Sequence, residues 1–344
     1  MPKPDVLNAE NSNLTILGKG KYLPGVAVPS EALDRKLGVS AGTCEKKSGV
    51  AQRHFAGDET VSEMAAQAGL TAVSEAGISF NELSALIYAG ATPEQPIPCN
   101  AVLIQKAMGE SKSGVPCFDL DSTCLSFLVA FDLVCSALES GRYHKVLLVT
   151  SEIASGHLDY SHIESASLFG DGAVAYVLGK EPVPSTSGIP FRILARRTET
   201  YSAYSDSCQI PGGGSKLSPH LYHRSRHKDY CFQMDGPKIF KKSLMLLPGF
   251  LDRVLSDLKL CLSDIALVVP HQASRSAMQL IQRKLAVPDS RWVQIIETHG
   301  NQISASIPTA LYEAMNAGRV KSGDLVLLLG TGAGLSLGAV LIRF

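Results

Sequence analysis

The sequence predicts an α/β protein of parallel-rich sheets covered by helices and built from two similar halves, and three observations carry that prediction. Apolar runs of strand length alternate along the chain with runs of helical period, the order that buries a sheet between helices. At 344 residues the chain exceeds the usual size of a single core, so two units sharing an interface are expected. A buried strand leading into a helix occurs at residues 115 to 138 and again at 265 to 285, which reads as a duplicated unit.

In chain order, Asn13-Leu-Thr-Ile-Leu-Gly18 reads as a short strand. A turn-rich stretch from Gly20 to Pro29 follows, then a helix over Glu31 to Leu37 that the Ser30 hydroxyl is placed to cap. Gly49 to Phe55 is irregular, Val61 to Ala76 is a helix, and Ser79 supplies another capping start. Leu83 to Ala89 has the composition of a buried strand, and the prolines 93, 96 and 98 force an irregular loop from Thr92 to Pro98. A helix over Asn100 to Met108 leads to the strand Val115-Pro-Cys-Phe-Asp-Leu120 and a helix through Leu128, Phe131, Val134 and Leu138. Lys145 to Thr150 is a strand, Ser151 to Ser167 a loop, and Phe169-Gly-Asp-Gly172 a tight turn opening a strand to Leu178. From Glu181 to Tyr230 the period is lost, with a flexible loop at Pro211-Gly-Gly-Gly-Ser215. Helical order from Phe232 to Leu262 is interrupted at Pro248. The strand Ile265 to Pro270, the helix Ser274 to Leu285, the strand Trp292 to Ile296 and the helix Ser306 to Ala317 follow. The strands Leu325 to Leu329 and Ser336 to Ile342 close the chain.

Hydrophobic residues make up 45% of the chain and Asp, Glu, Lys and Arg 19%, a balance that excludes a disordered protein. Its 32 basic and 32 acidic residues cancel, so there is no broad field for nucleic acid or an anionic membrane. The eight cysteines form no C-x-x-C pair and no zinc spacing, which points to reduced thiols and no metal. Met1-Pro-Lys-Pro-Asp5 lacks a signal pattern and no apolar run has bilayer length, so a cytoplasmic protein is expected.

The stretch Asp121-Ser-Thr-Cys-Leu-Ser-Phe127 is a polar, small-residue elbow between a strand and a helix. Cys124 at a helix N-terminus would have its thiol pKa lowered by the helix dipole, as a nucleophile requires. Taken alone, it reads more readily as a small core residue, and its partners downstream shift that balance. His271 follows an apolar strand at its carboxyl end, where open α/β sheets place reactive groups. Asn301 sits in the polar loop His299-Gly-Asn-Gln-Ile-Ser-Ala305. Together they match activated-thiol acyl chemistry, one imidazole serving as base and one amide holding an oxyanion. The glycine-rich tail Gly330-Thr-Gly-Ala-Gly-Leu335 offers backbone N–H groups to the same oxyanion. It lacks the Lys-Ser/Thr ending of a phosphate-binding P-loop. Tyr222-His-Arg-Ser-Arg-His-Lys228 reads as a solvated loop or as a dock for a phosphate-bearing carrier.

Asp121 to Phe127, Phe169-Gly-Asp-Gly-Ala173, Phe232-Gln-Met-Asp-Gly236, Val269-Pro-His-Gln-Ala273, Gly300-Asn-Gln-Ile-Ser-Ala305 and Gly332-Ala-Gly-Leu-Ser-Leu-Gly338 together resemble β-ketoacyl-acyl-carrier-protein synthase III, of the thiolase-like superfamily. The resemblance runs from about Leu14 to Phe344. It implies an α/β, thiolase-like five-layered αβαβα fold from two similar halves, residues 1–180 carrying the nucleophile and 181–344 carrying His271 and Asn301, usually as a homodimer. It also implies acylation of Cys124, then decarboxylative condensation with a malonyl thioester held by His271 and Asn301. The N–H groups of Cys124 and Ala333 would form the acyl oxyanion hole. The substrates are coenzyme A or acyl-carrier-protein thioesters, with no further cofactor. Thiolases need a second cysteine near the C-terminus, and none follows Cys261; synthases I and II carry a histidine where Asn301 stands.

Around the donor the sequence departs from the family. Thr43 and Ile163 replace the pair that sandwiches adenine, Lys47 replaces a phosphate-binding Arg, and Ser274 replaces an Asn. The Arg that follows is shifted or replaced around Arg275 and Ser276. Lys241 keeps a basic position for phosphopantetheine. These departures favour an acyl chain delivered by a carrier protein. Ile97 stands where the family's bulky aromatic limits the primer, which predicts medium or longer acyl chains. Two other activities are expected alternatives: acyl transfer to a small acceptor without decarboxylation, and a non-catalytic subunit of an active synthase.

Overall fold

The structure is a computed structural model that describes residues 14–25, 27–180 and 188–344. The first half runs β1 (Leu14–Tyr22), β2 (Ala27–Pro29), α1 (Ser30–Leu37), α2 (Thr43–Ser48), β3 (Gln52–His54), α3 (Val61–Ala76), β4 (Ala85–Ala89), α4 (Asn100–Ala107), β5 (Cys117–Leu120), α5 (Ser126–Glu139), β6 (Lys145–Glu152), α6 (Ile163–Ala166) and β7 (Gly172–Gly179). The second half runs β8 (Ile189–Thr200), β9 (Cys208–Gln209), β10 (Gln233–Met234), α7 (Gly236–Leu255), β11 (Leu267–Pro270), α8 (Arg275–Lys284), α9 (Ile296–His299), α10 (Ser306–Asn316), β12 (Leu325–Gly332) and β13 (Ser336–Arg343).

Nine strands join in the order β11-β12-β13-β8-β1-β7-β6-β4-β5. In each half the pairings outward from the joint are antiparallel, antiparallel and parallel: β1 to β7 to β6 to β4, and β8 to β13 to β12 to β11. β5 then adds parallel to β4, as Trp292 bridges parallel to Val268. The two sets meet where β1 pairs with β8. The duplication is therefore present, with a corrected register: the unit at β5 and α5 is repeated by the Trp292 segment and α10, whereas β11 and α8 repeat β4 and α4.

Three apolar clusters divide this arrangement into five layers. α5 and α10 pack between the two sets of strands, α3 and α4 cover the outer face of the first, and α7 and α8 cover that of the second. In the middle layer Phe131 stacks on Phe127 and on Phe191 at 5.6 and 5.5 Å, so one ring ties α5 to β8. Burying each such ring stabilises by roughly 1.5–3 kcal/mol.

Several expectations change. β1 runs on to Tyr22, through Gly18 and Gly20, because these glycines serve close packing rather than turning. A Cβ on Gly20 would stand 2.1 Å from the Ala68 carbonyl of α3, and one on Gly18 2.2 Å from that of Ala72. Ser30 does not cap α1; its hydroxyl donates to the Val50 carbonyl. Pro248 lies inside an unbroken α7. β8 is a twelve-residue strand inside the stretch whose period is lost, since its charged residues pair across neighbours, Arg196 with Asp132 and Glu139. The predicted strand Trp292 to Ile296 shrinks to a single bridge before α9. All eight cysteines are unpaired, and no described helix is long and apolar enough to cross a membrane. The start of the expected first strand, Asn13, lies outside the described residues.

Gly20→Ala is expected to lower stability by about 1–3 kcal/mol by forcing α3 off β1. Gly25→Ala, whose Cβ meets nothing within 4 Å, serves as control and should stay within about 0.5 kcal/mol. Urea unfolding midpoints at unchanged m-value check both.

Candidate active site

At the end of β5 the chain turns sharply into the middle layer. Asp121 Oδ1 accepts the Thr123 N–H at 2.7 Å. The Ser126 hydroxyl accepts the Ser122 N–H at 2.8 Å and donates to the Thr123 carbonyl at 2.7 Å. These bonds hold Thr123 at φ +52°, a left-handed conformation that a β-branched residue adopts at a cost. Cys124 consequently sits in a single 3-10 turn, Thr123–Leu125, just before α5.

The expected lowering of the thiol pKa is overturned. Burial pushes the Cys124 thiol well up, and the neighbouring Cys208 and Glu152 add to the rise when charged. The backbone N–H groups of Ala333 and Cys124 pull the other way and do not prevail. In this enclosed site the cost of desolvating a thiolate exceeds what a few N–H dipoles return. At rest Cys124 is a neutral thiol.

β12 brings the second element to the elbow. A Cβ on Gly330 would stand 2.8 Å from the Leu125 side chain and 3.3 Å from the His271 Cβ; one on Gly332 would stand 3.0 Å from Thr123 Oγ1. Only side-chain-free residues let the strand pass this close. The approach brings the Ala333 backbone near the Cys124 thiol, whose charged form its N–H favours. The glycine-rich tail is thus the end of a strand and the turn Ala333 to Leu335, not a free loop.

His271 stands directly beyond β11, its N–H bonded to the Leu329 carbonyl of β12 at 2.8 Å. Burial holds its imidazole down to about 4, so it is neutral near pH 7, and its Nδ1 has no partner. Asn301 is pinned by two backbone bonds, its N–H to the Leu168 carbonyl at 2.9 Å and its carbonyl from the Gly170 N–H at 3.1 Å. Its side-chain amide donates to the Ala273 carbonyl at 3.3 Å, which places it beside the His271 turn. Cys124, His271 and Asn301 therefore gather around the end of β12.

The Asn301 loop repeats the Cys124 elbow. Asn301 Oδ1 accepts the Ile303 N–H at 2.9 Å, Ile303 lies at φ +49°, and the Ser306 hydroxyl accepts the Gln302 N–H at 3.0 Å before α10. Asp121, Thr123 and Ser126 make the same bonds in the first half, and Ser304 stands where Cys124 stands.

The donor-side candidates lie apart from this centre. Thr43 opens α2 and Ile163 opens α6, and Lys47 reaches Glu164 between those helices at 3.8 Å. A surface cleft of ≈ 380 Å³ is lined by Lys46, Lys47, Arg275 and Ser276 among others. The Ser274 hydroxyl is committed to capping α8, accepting the Ala277 N–H at 3.3 Å. Lys241 is exposed on α7, and the Tyr222 to Lys228 cluster lies exposed on the surface. Ile97 is 84% exposed and takes no part in the centre of its own chain. Sequence reading missed Cys208 and Glu152. Nothing local marks Cys208, whereas an acid directly after the apolar run of β6 was a visible signal.

The family model described as 3-oxoacyl-[acyl-carrier-protein] synthase III matches residues 118–195, and the model of its C-terminal part matches residues 255–344. The β-ketoacyl-[acyl-carrier-protein] synthase III of Rhodospirillum centenum is 33% identical over 332 residues, covering 96% of this chain and 98% of that protein. That of Aquifex aeolicus is 31% identical over 331 residues, covering 96% and 99%. The crystal structure of the Aquifex aeolicus 3-oxoacyl-[acyl-carrier-protein] synthase III superposes with a TM-score of 0.84, at 30% identity, over 96% of this chain and 100% of that one. OleA of Xanthomonas campestris, 20% identical with a TM-score of 0.82 over 97% and 98%, shares the fold.

Burial holds His271 and His299 down to about 4 and raises Glu152 to about 7. On unfolding, each histidine returns to about 6.5 and the carboxyl to about 4.5. Between pH 4.5 and 6.5 the unfolded chain then binds two more protons at the histidines and one fewer at the carboxyl, a net gain of about one. Stability carried by these groups should rise with pH across that window by roughly 1.4 kcal/mol per unit. In His299→Gln the rise should flatten. Urea melts at half-unit pH steps check the sign.

Proposed function

Because the chain belongs to the β-ketoacyl-acyl-carrier-protein synthase III family, we propose that it loads an acyl group on Cys124 and condenses it with a malonyl thioester. The observation that carries this reading is the end of β12 packed against both the Cys124 elbow and His271, with Asn301 beside the His271 turn. In the first half-reaction the sulfur attacks the donor's thioester carbonyl. The oxyanion lies against the N–H groups of Cys124 and Ala333, and the thiol proton passes to the departing carrier thiol. In the second, His271 and Asn301 hold the carbonyl oxygen of the malonyl thioester. The carboxylate leaves as carbon dioxide and its bonding pair becomes the enolate. The enolate carbon then attacks the acyl carbonyl and expels the Cys124 sulfur, leaving a β-ketoacyl thioester. A histidine held neutral by burial serves here as a hydrogen-bonding group, without competing for the proton as an imidazolium would.

The reading includes a cytoplasmic homodimer that uses coenzyme A or acyl-carrier-protein thioesters and no metal or resident cofactor. Thr43 and Ile163 supply neither ring nor cation to an adenine, and Glu164 faces Lys47 where phosphate would lie. A chain delivered by the carrier protein fits better. The carrier's acidic surface would meet Lys241, the basic cleft by Arg275 and the Arg224 to Lys228 turn. The exposed Ile97 fits a partner's acyl pocket, where an aliphatic side chain leaves room for a longer primer.

Intact-protein mass spectrometry should show acyl mass on the wild type and none on Cys124→Ala; acyl gain by the alanine variant would sink the nucleophile assignment. Asn301→Ala should still acylate but release carbon dioxide from malonyl thioester about a hundredfold more slowly. A wild type that acylates yet never consumes malonyl thioester would make acyl transfer to a small acceptor the better reading.

Acylation rates should rise from acetyl toward medium chains by up to about fourfold per added methylene. The carrier-borne series should at least equal the coenzyme A series. In Ile97→Phe the optimum should move back to short chains; an optimum at acetyl in the wild type would refute the role of Ile97.

A further inference from the structure

The mechanism leaves the buried acid Glu152 unused. Glu152 ends β6 and is fully buried. Its Oε1 accepts the Ala91 N–H at 2.9 Å and the Ser304 hydroxyl. Its Oε2 accepts the Thr92 N–H at 3.0 Å and the Thr92 hydroxyl at 2.5 Å. The Thr92 oxygen in turn takes the Ile153 N–H at 3.2 Å, which fixes its hydroxyl as a donor to the carboxylate. Four donors converge on one group, and two of them are backbone N–H groups that cannot reverse. A carboxyl offers one oxygen to each of the two N–H groups; an amide would turn an NH2 against one of them.

The internal duplication explains the position. β6 ends at Glu152 opposite Gly172 of β7, and β12 ends at Gly332 opposite Ser336 of β13, eight residues along equivalent strands. In the second half a glycine ends the strand, and the strand packs directly against Thr123 and Leu125 of the Cys124 elbow. In the first half Glu152 fills the same space and takes the hydroxyl of Ser304, the counterpart of Cys124. The second elbow is plugged rather than reactive, since Ser304 and Glu152 are both fully buried.

We propose that Glu152 is a positioning residue that ties the loop from Ala91 to Pro98, on the acyl side, to the Asn301 loop, on the extender side. This rests on the condensing reading above. One arm runs through Ser304 to the turn whose Ile303 N–H binds Asn301 Oδ1. The other runs through Ala91 and Thr92 to the loop that carries Ile97. The two substrate-facing loops come from different halves of the chain and share one anchor.

Glu152→Gln, Ser304→Ala and Thr92→Val test it by hydrogen exchange and by the separate half-reactions. In Glu152→Gln, amides at 91–92 and 303–306 should both exchange about tenfold faster or more, with the other β6 amides unchanged. Its condensation rate should fall about tenfold while acylation from a short-chain donor stays within about threefold. Ser304→Ala should slow condensation alone, and Thr92→Val should weaken chain-length discrimination alone, so the single arms remain informative if the glutamine variant fails to fold. Unchanged exchange in both loops, or equal loss of both half-reactions in all three variants, would overturn the proposal. Exchange needs no activity. A wild type inert toward malonyl thioester would therefore refute the condensing reading, while the two loops' exchange still decides the role of Glu152.

Discussion

The contact between β12 and the Cys124 elbow is the constraint on which the centre depends. Gly330 and Gly332 remove the side chains that would otherwise hold the strand away from Leu125 and Thr123. That proximity fixes three things at once. It brings the Ala333 backbone near the thiol, it brings His271 to the same place through its bond to Leu329, and it closes the site enough to make charge expensive. A single methyl on either glycine would disturb all three together, because interiors packed at this density do not deform smoothly.

Enclosure then governs the electrostatics. The thiol is held up and the imidazole held down, both first by burial, so the resting pair is neutral. Such a site does not store a thiolate for indiscriminate attack. In the proposed reaction its N–H groups would act on charge that develops on the acyl oxygen, where preorganised dipoles in a dry site have their largest effect.

Duplication supplies the frame. Two elbows of the same hydrogen-bonding pattern enter α5 and α10 side by side in the middle layer, with left-handed residues at Thr123 and Ile303. The copies have diverged at the strand ends that face them. Where β12 ends in glycine the elbow carries Cys124; where β6 ends in Glu152 the elbow is anchored through Ser304 and presents Asn301. One repeated geometry thus supplies both the thiol and the amide on which the proposed function rests.

The alternation of strands and helices, the elbow at Cys124 and the strand-end His271 were legible because each is local: hydrophobic period and turn chemistry depend on neighbours a few residues away. Motif order likewise marked Asn301 and Ala333. The sequence alone misjudged the thiol, since a helix-dipole argument counts nearby N–H groups and neither the desolvation of an enclosed site nor the Coulombic effect of Cys208 and Glu152 from distant parts of the chain. It read Gly20 as the start of a turn-rich stretch because a glycine needed for close approach looks the same as one needed for a bend, and only α3 lying across β1 distinguishes them. It missed β8 because charged residues on a strand carry a period only when their partners, Asp132 and Glu139 on α5, are in place. The register of the duplication and the anchoring of two loops on Glu152 were likewise decided by tertiary structure, because both are relations between segments separated by more than sixty residues or by half the chain, and no local pattern encodes them.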